Sequence, residues 1–150
     1  MTHETTRTVL IVDDDRDLLL MSREGLENHD ETFSVITAED GEAAVKELRR
    51  NPVSLVLTDL KMPRMDGFGL LAHISEHYPD IPVIVMTGFG TAQLEQQAGR
   101  NGAVAYIQKP FLIEDLARRM MATWHRESEG GALHGFSIGV FVQLIEAAEK

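Results

Sequence analysis

The sequence predicts an α/β fold, a doubly wound, five-stranded parallel sheet with five helices, followed by a C-terminal helical extension. Five short apolar runs alternate with five helix-like stretches over residues 1–127. Parallel strands need right-handed crossover connections, which place helices on both faces of the sheet. A chain of 150 residues is long enough for one such domain to bury a core.

The strands are predicted from continuous apolar runs bounded by polar or turn residues. The run Thr-Val-Leu-Ile-Val at 8–12 is the clearest, because its β-branched residues without polar alternation are typical of a strand buried on both faces. The five predicted strands span residues 8–12, 33–37, 55–58, 83–86 and 104–107.

The helices are predicted between and after these strands, and several of their ends coincide with helix-breaking residues. The second helix ends before Asn51-Pro52 and the third before Tyr78-Pro79, because proline disfavours a helical backbone in the residue that precedes it. The fourth closes near Gly102. The five predicted helices span residues 18–26, 41–50, 67–77, 91–100 and 113–126.

The chain divides into a domain at 1–127, a linker at 128–131 and an extension at 132–150. The linker reads Ser-Glu-Gly-Gly, which breaks a helix. The extension carries an apolar helical face and reaches the last residue without a capping signal. We therefore expect it to pack on the first domain, to pair with a second copy as a homodimer, or to begin a truncated effector module.

Composition excludes several classes of protein. There is no cysteine, so disulfides and thiolate metal sites are excluded. The N-terminus lacks a signal-peptide pattern and no apolar run approaches 18 residues, so we expect no membrane segment and a cytoplasmic location. The net charge of −10 and the absence of a basic patch argue against direct nucleic-acid binding by this chain.

Polar residues follow four of the predicted strands at the edge where ligands of such sheets bind. Asp13 and Asp14 follow the first strand, and Asp59 follows the third. Thr87 follows the fourth strand, and Lys109 comes shortly after the fifth. Clustered carboxylates indicate a hard divalent cation such as Mg²⁺, and a nearby ammonium and hydroxyl can hold a phosphoryl group. One carboxylate is then available as a nucleophile that forms an aspartyl-phosphate.

Four segments, in this order and at this spacing, form the pattern of a known family. They read Val-Leu-Ile-Val-Asp-Asp-Asp at 9–15, Leu-Thr-Asp-Leu-Lys-Met-Pro-Arg-Met-Asp-Gly at 57–67, Val-Met-Thr-Gly at 85–88 and Tyr-Ile-Gln-Lys-Pro-Phe at 106–111. Over roughly residues 7–127 the sequence resembles the receiver domain of bacterial two-component response regulators. The resemblance implies a flavodoxin-like sheet with strand order 2-1-3-4-5.

The resemblance also implies the role of each acidic residue at the site. Asp59 matches the phosphoacceptor, and Asp13 and Asp14 match the acidic pair that binds the metal. Asp59 and the backbone carbonyl of Lys61 match the remaining protein ligands of Mg²⁺ or Mn²⁺. No other cofactor is implied.

A second group of residues matches the switch of the family. Thr87 matches the hydroxyl that moves toward the phosphoryl oxygens, and Lys109 the ammonium that pairs with them. Tyr106 matches the aromatic residue that turns inward as Thr87 moves, and the bond from Lys109 to Pro110 is expected to be cis. We also expect Phe89, two residues beyond Thr87, to overhang the site.

The implied function is a phosphorylation switch rather than an enzyme. A sensor histidine kinase or phosphotransfer protein donates to Asp59, and the surface of the fourth helix, fifth strand and fifth helix controls an output module or partner. The alternatives are a phosphate-independent interaction module and a phosphatase with an aspartyl-phosphate intermediate. Against the phosphatase, Lys61 stands where dehalogenase-like phosphatases need a second Asp.

Two weaker patterns remain. The extension at 132–150 faintly resembles the opening helix of the effector module named PATAN. His73 and His77 have the spacing of helical zinc ligands, but no third ligand is evident in the sequence.

Overall fold

The computed structural model describes residues 6–88 and 90–128, and it has the predicted alternation of strands and helices. The strands are β1 (Arg7–Val12), β2 (Phe33–Ala38), β3 (Leu55–Asp59), β4 (Val83–Thr87) and β5 (Ala105–Gln108). The helices are α1 (Arg16–His29), α2 (Gly41–Arg50), α3 (Gly67–His77), α4 (Ala92–Arg100) and α5 (Ile113–Ser128).

All strand pairs are parallel, and the sheet order is β2-β1-β3-β4-β5. The predicted fold class and strand order are therefore confirmed. This order places β1 and β3 side by side. The chain moves from β1 to one edge of the sheet to form β2, and it then returns past β1 to form β3, β4 and β5 on the other side. Ligands of doubly wound sheets bind at such a switch point, beyond the carboxyl ends of the strands.

Two apolar layers cover the sheet. One face packs against α1 and α5, through residues such as Leu26 and Leu116 that are completely buried. The other packs against α2, α3 and α4, through residues such as Leu70, Leu71 and Ala98. Strands β3 and β4 are buried along their whole length, as expected for strands covered on both faces.

Side chains that precede four helices explain where those helices begin. Each accepts a hydrogen bond from a backbone N–H of the first turn, which would otherwise lack a partner. These N-caps are Asp15 for α1, Asp40 for α2, Asp66 for α3 and Thr91 for α4.

Several element ends differ from the sequence prediction, and two of the differences affect the site. Asp59 and Thr87 are the last residues of β3 and β4, each one residue beyond the predicted apolar runs at 55–58 and 83–86. The reason is tertiary, because Asp59 is in register with Met86, and Thr87 with Gln108, on the neighbouring strand. Both side chains are thus held by the sheet itself.

Other ends shift by one to three residues. Helix α1 begins at Arg16 because Asp15 caps it, and it continues to His29. Strand β5 begins one residue later than predicted, at Ala105, and α5 continues to Ser128, which the sequence assigned to the linker.

The remaining prediction about the linker and the extension at 132–150, including its resemblance to PATAN and a homodimer through it, lies outside the described residues. Within residues 6–88 and 90–128, no helix is both long and apolar enough to span a bilayer.

Candidate functional site

The carboxyl edge of the sheet brings the predicted acidic residues together. Asp13 follows β1, Asp59 ends β3, and the sheet order makes these strands neighbours. Carboxylate oxygens of Asp13, Asp14 and Asp59 lie within 4.8 Å of one another. Asp13 and Asp59 are buried, whereas Asp14 is exposed.

Lys109 links the two buried carboxylates. Its Nζ atom lies 2.5 Å from Oδ2 of Asp13 and 2.9 Å from Oδ2 of Asp59. The Lys109 side chain is 18% exposed, so the ammonium is largely shielded from solvent. The bond from Lys109 to Pro110 is cis, as the resemblance implied.

Burial governs the electrostatics of this cluster. It raises the pKa of Asp13 above its usual value, and the hydrogen bond from Lys109 offsets only part of that effect. Burial alone would lower the pKa of Lys109, but its hydrogen bonds to Asp13 and Asp59 leave that pKa raised. Lys109 is therefore a permanent cation at neutral pH.

Backbone N–H groups orient the same carboxylates. Leu60 donates to Oδ1 of Asp59 at 2.7 Å, and Asp15 donates to Oδ1 of Asp13 at 2.9 Å. Each buried carboxylate thus has one oxygen toward the backbone and one toward Lys109. This arrangement restricts both side chains to one orientation before any ligand arrives.

The donor set fits a hard divalent cation. Among the described residues, three carboxylates lie together and the Lys109 ammonium contacts two of them, so the cluster has excess negative charge that a cation can balance. Carboxylate oxygens are preferred ligands of Mg²⁺, which also keeps water ligands when a site leaves one side open, as the exposed Asp14 does here. Lys61 lies in the loop after Asp59, where its backbone carbonyl can serve as a further ligand.

Thr87 and Tyr106 lie on β4 and β5, beside the acidic cluster, and each is only 2% exposed. The Tyr106 hydroxyl is buried and has no hydrogen-bond partner in the described part of the chain. Burial, with smaller contributions from Glu95 and Asp59, raises the pKa of Tyr106 to about 12. A Cβ atom at Gly90 would lie 2.9 Å from Cζ of Tyr106, so the absence of a side chain at Gly90 makes room for the ring.

Two further sequence predictions have different outcomes. Phe89, expected to overhang the site, lies outside the described residues. The rings of His73 and His77 are neighbours on α3, with centroids 4.4 Å apart and a tilt of 47° between their planes, and burial lowers the pKa of His73. However, no third carboxylate or imidazole completes a metal-binding group with them among the residues that the structure describes.

Sequence reasoning missed an ion pair beside the site. Arg64, in the loop after Asp59, donates from Nε to Oδ2 of Asp40 at 2.6 Å. Local signals identify Asp40 as a helix cap but give no indication of an arginine partner 24 positions away.

Comparisons with known proteins agree with this geometry. The family model described as the response regulator receiver domain matches residues 9–121. The transcriptional regulatory protein GlrR of Escherichia coli is 38% identical over 110 residues, which cover 73% of this chain and 24% of that protein. The response regulator protein FleR of Pseudomonas aeruginosa is 36% identical over 127 residues, which cover 82% of this chain and 26% of that protein.

A solved structure shows the same similarity in three dimensions. The CheY-like receiver domain protein of Methanospirillum hungatei matches with a TM-score of 0.79 and 27% identity, covering 85% of this chain and all of that one. This chain spans about a quarter of the length of the curated relatives described above. The match to the family model, the relatives and the sheet topology together establish that this chain belongs to the response regulator receiver domain family.

Proposed function

We propose that this receiver domain accepts a phosphoryl group on Asp59 from a sensor histidine kinase or a phosphotransfer protein. The observation that carries the proposal is the Lys109 ammonium, which bridges the buried carboxylates of Asp13 and Asp59 beside the exposed Asp14. An anion-binding cation and a nucleophilic carboxylate are then in one half-open site.

Asp13, Asp14, Asp59 and the backbone carbonyl of Lys61 would hold Mg²⁺ or Mn²⁺. When bound, the metal neutralises charge on the phosphoryl oxygens. A carboxylate oxygen of Asp59 attacks phosphorus, the bond from phosphorus to the donor's histidine nitrogen breaks, and that nitrogen retains the electron pair. The product is an acyl phosphate on Asp59 and a neutral histidine once the leaving nitrogen is protonated.

Lys109 and Thr87 have separate roles in this proposal. The Lys109 ammonium already contacts Asp59. Once Asp59 is phosphorylated, a phosphoryl oxygen can form an ion pair with this ammonium in place of the carboxylate oxygen. The Thr87 hydroxyl, one strand further along the edge, moves to donate to another phosphoryl oxygen. Tyr106 responds on β5, and the surface formed by α4, β5 and α5 then changes its affinity for an output module or partner.

The proposed activity is that of a switch, with at most slow self-catalysed phosphorylation and dephosphorylation. A phosphatase with an aspartyl-phosphate intermediate is the second candidate, and Lys61 two residues after Asp59 argues against it. A phosphate-independent interaction module is the third candidate, but this function does not explain why a buried ammonium lies between two carboxylates. We propose that the chain acts in the cytoplasm without itself binding nucleic acid, in line with its net charge of −10.

Mass spectrometry after incubation with acetyl phosphate and Mg²⁺ tests the proposal. We expect the mass of one phosphoryl group on the intact chain, located by fragmentation to Asp59 and removed by hydroxylamine. An unmodified chain at saturating Mg²⁺, with no phosphate released, would exclude both phosphoryl-transfer functions. Rapid multiple-turnover release of phosphate would instead support the phosphatase.

A further inference from the structure

The loop between β3 and α3 (residues 60–66) carries Lys61 and is closed at its base. The N–H of Gly67 donates to the carbonyl oxygen of Leu60 at 2.9 Å. A Cβ atom at Gly67 would lie 2.6 Å from Cα of Leu60, so the two ends of the loop are in direct contact. Only residues 61–66 lie between these two joined ends, so a displacement at the tip of so short a loop would also move the backbone at Lys61.

The tip of the loop is attached to the N-terminus of α2. The N–H of Gly41 donates to the carbonyl oxygen of Met65 at 3.1 Å, and Nε of Arg64 donates to Oδ2 of Asp40 at 2.6 Å. A Cβ atom at Gly41 would lie 2.6 Å from Cβ of Met65, so the close approach requires glycine. The loop thus contacts a helix that carries none of the predicted ligands.

Asp40 holds two elements at once. Its Oδ1 atom accepts from the N–H of Ala43 at 2.8 Å as the cap of α2, while Oδ2 accepts from Arg64. The Asp40 side chain is only 6% exposed, whereas Arg64 is 60% exposed. The carboxylate is therefore the buried partner of the pair, and the guanidinium reaches it from the end of a long, exposed side chain.

Arg64 also has an unusual backbone. Its φ angle is +63°, in the left-handed region that side-chain-bearing residues rarely adopt. Such a conformation persists only where surrounding contacts stabilise it. The pair with Asp40 is a contact of that kind, because it is made by the same residue that carries the strained φ angle.

We propose that Asp40 and Arg64 form a positioning pair for the metal site, an inference that rests on the proposed function. The pair touches neither Asp59 nor the phosphoryl group. It holds the left-handed turn at Arg64, and through the closed loop it sets where the Lys61 carbonyl lies relative to Asp59. Loss of the pair should weaken binding of Mg²⁺ before it affects the chemistry of Asp59.

The test uses Asp40→Asn, Arg64→Gln and the double variant of the full chain. Asparagine caps helices about as well as aspartate, so Asp40→Asn removes the ion pair and keeps the cap of α2. Arg64→Gln removes the guanidinium without introducing a side chain that tolerates a left-handed φ angle, so the turn loses the contact that stabilises it. Calorimetric titration with Mg²⁺ measures affinity, and acetyl phosphate labelling measures the rate of phosphorylation. Arg50→Gln, at an exposed arginine in the last turn of α2, is the control for the lost positive charge.

We expect each single variant to weaken Mg²⁺ binding about tenfold, the size typical of lost support for a metal ligand. The double variant should bind Mg²⁺ no more weakly than the weaker-binding single variant, because the two substitutions remove the same interaction. Phosphorylation should be slow at low Mg²⁺ and recover at saturating Mg²⁺. Arg50→Gln should match the unsubstituted chain in both measurements.

Contrary results separate this inference from the proposed function. If the unsubstituted chain neither binds Mg²⁺ nor becomes phosphorylated, the proposed function fails. If it does both, and the variants lose thermal stability while their Mg²⁺ affinity is unchanged, the pair is merely structural and the inference is wrong. Additive effects in the double variant would also overturn it.

Discussion

The two halves of the carboxyl edge differ in how their buried polar groups are paired. In the acidic half, Asp13 and Asp59 each accept a backbone N–H and share the Lys109 ammonium. In the switch half, the Tyr106 hydroxyl is buried with no hydrogen-bond partner in the described part of the chain. A buried polar group without a partner costs about 1–3 kcal/mol.

This difference indicates separate roles for the acidic half and the switch half. In the acidic half, hydrogen bonds and ion pairs hold Asp13 and Asp59 in place, and the excess of carboxylates leaves negative charge for a cation to balance. The switch half is held in place by packing against Gly90, with no hydrogen bond to the Tyr106 hydroxyl in the described part of the chain. A ring held by packing can change position when a neighbour moves, so we expect the proposed phosphorylation and the proposed response to occupy different strands.

The largest expected effect is on the acidic half. Asp59→Asn should abolish phosphorylation by acetyl phosphate, because the amide has nearly the same shape but is not nucleophilic. The fold should persist, since the amide oxygen can still accept from the N–H of Leu60. Mass spectrometry and circular dichroism measure the two outcomes, and a fully labelled Asp59→Asn chain would show that the nucleophile is elsewhere.

The next effect concerns the cation. Mg²⁺ at one hundred times its dissociation constant should raise the free energy of unfolding by about 2.7 kcal/mol, because it binds only the folded chain. Asp14→Asn should remove most of this gain at the same Mg²⁺ concentration while leaving the metal-free stability nearly unchanged, since Asp14 is exposed. Urea unfolding with and without Mg²⁺ provides the measurement.

Asp17→Asn is the matched control for Asp14→Asn, because it removes an exposed negative charge on the first turn of α1. It should retain the stabilisation by Mg²⁺. Equal losses in the two variants would mean that net charge, rather than coordination, accounts for the effect.

A moderate effect is expected in the switch half. Gly90→Ala should displace the Tyr106 ring, because the added methyl group would overlap it. The pKa of Tyr106 should then fall from about 12 toward 10.0 as the hydroxyl gains access to water. Ultraviolet titration in a Tyr78→Phe background measures it, since the chain has two tyrosines.

Gly88→Ala is the control for Gly90→Ala, because a Cβ atom at Gly88 would meet nothing within 4 Å.

The raised pKa of Tyr106 also predicts how the stability of the fold changes with pH. Above pH 10 the unfolded chain loses the Tyr106 proton while the folded chain keeps it, so stability should fall as pH rises toward 12. Gly90→Ala should show a smaller fall, and identical titrations of the two glycine variants would contradict the steric explanation.

The smallest effect separates the third residue of the aspartate run from the first two. Asp15 accepts from the N–H groups of Asp17 and Leu18 as the cap of α1. Asp15→Ala should therefore cost about 1 kcal/mol of stability. Its Mg²⁺ affinity should stay close to that of the unsubstituted chain, and a large loss in the calorimetric titration would place Asp15 among the ligands.

Local patterns in the sequence determined the fold class and most of the site. Apolar runs identified the five strands, because a strand buried on both faces must be apolar throughout. Parallel strands all end at one edge, so residues at four strand ends had to meet there whatever the details of packing. That is why the sequence by itself groups Asp13, Asp59 and Lys109 at this edge.

Tertiary structure decided how those residues are paired. Lys109 is 96 positions from Asp13 and 50 positions from Asp59 in the sequence, yet its ammonium contacts both carboxylates. No local pattern encodes the distances between these three side chains. The buried hydroxyl of Tyr106 depends on the space beside Gly90, and the left-handed Arg64 depends on Asp40. Propensity and periodicity act over a few residues, whereas these contacts are set by how the packed elements bring distant side chains together.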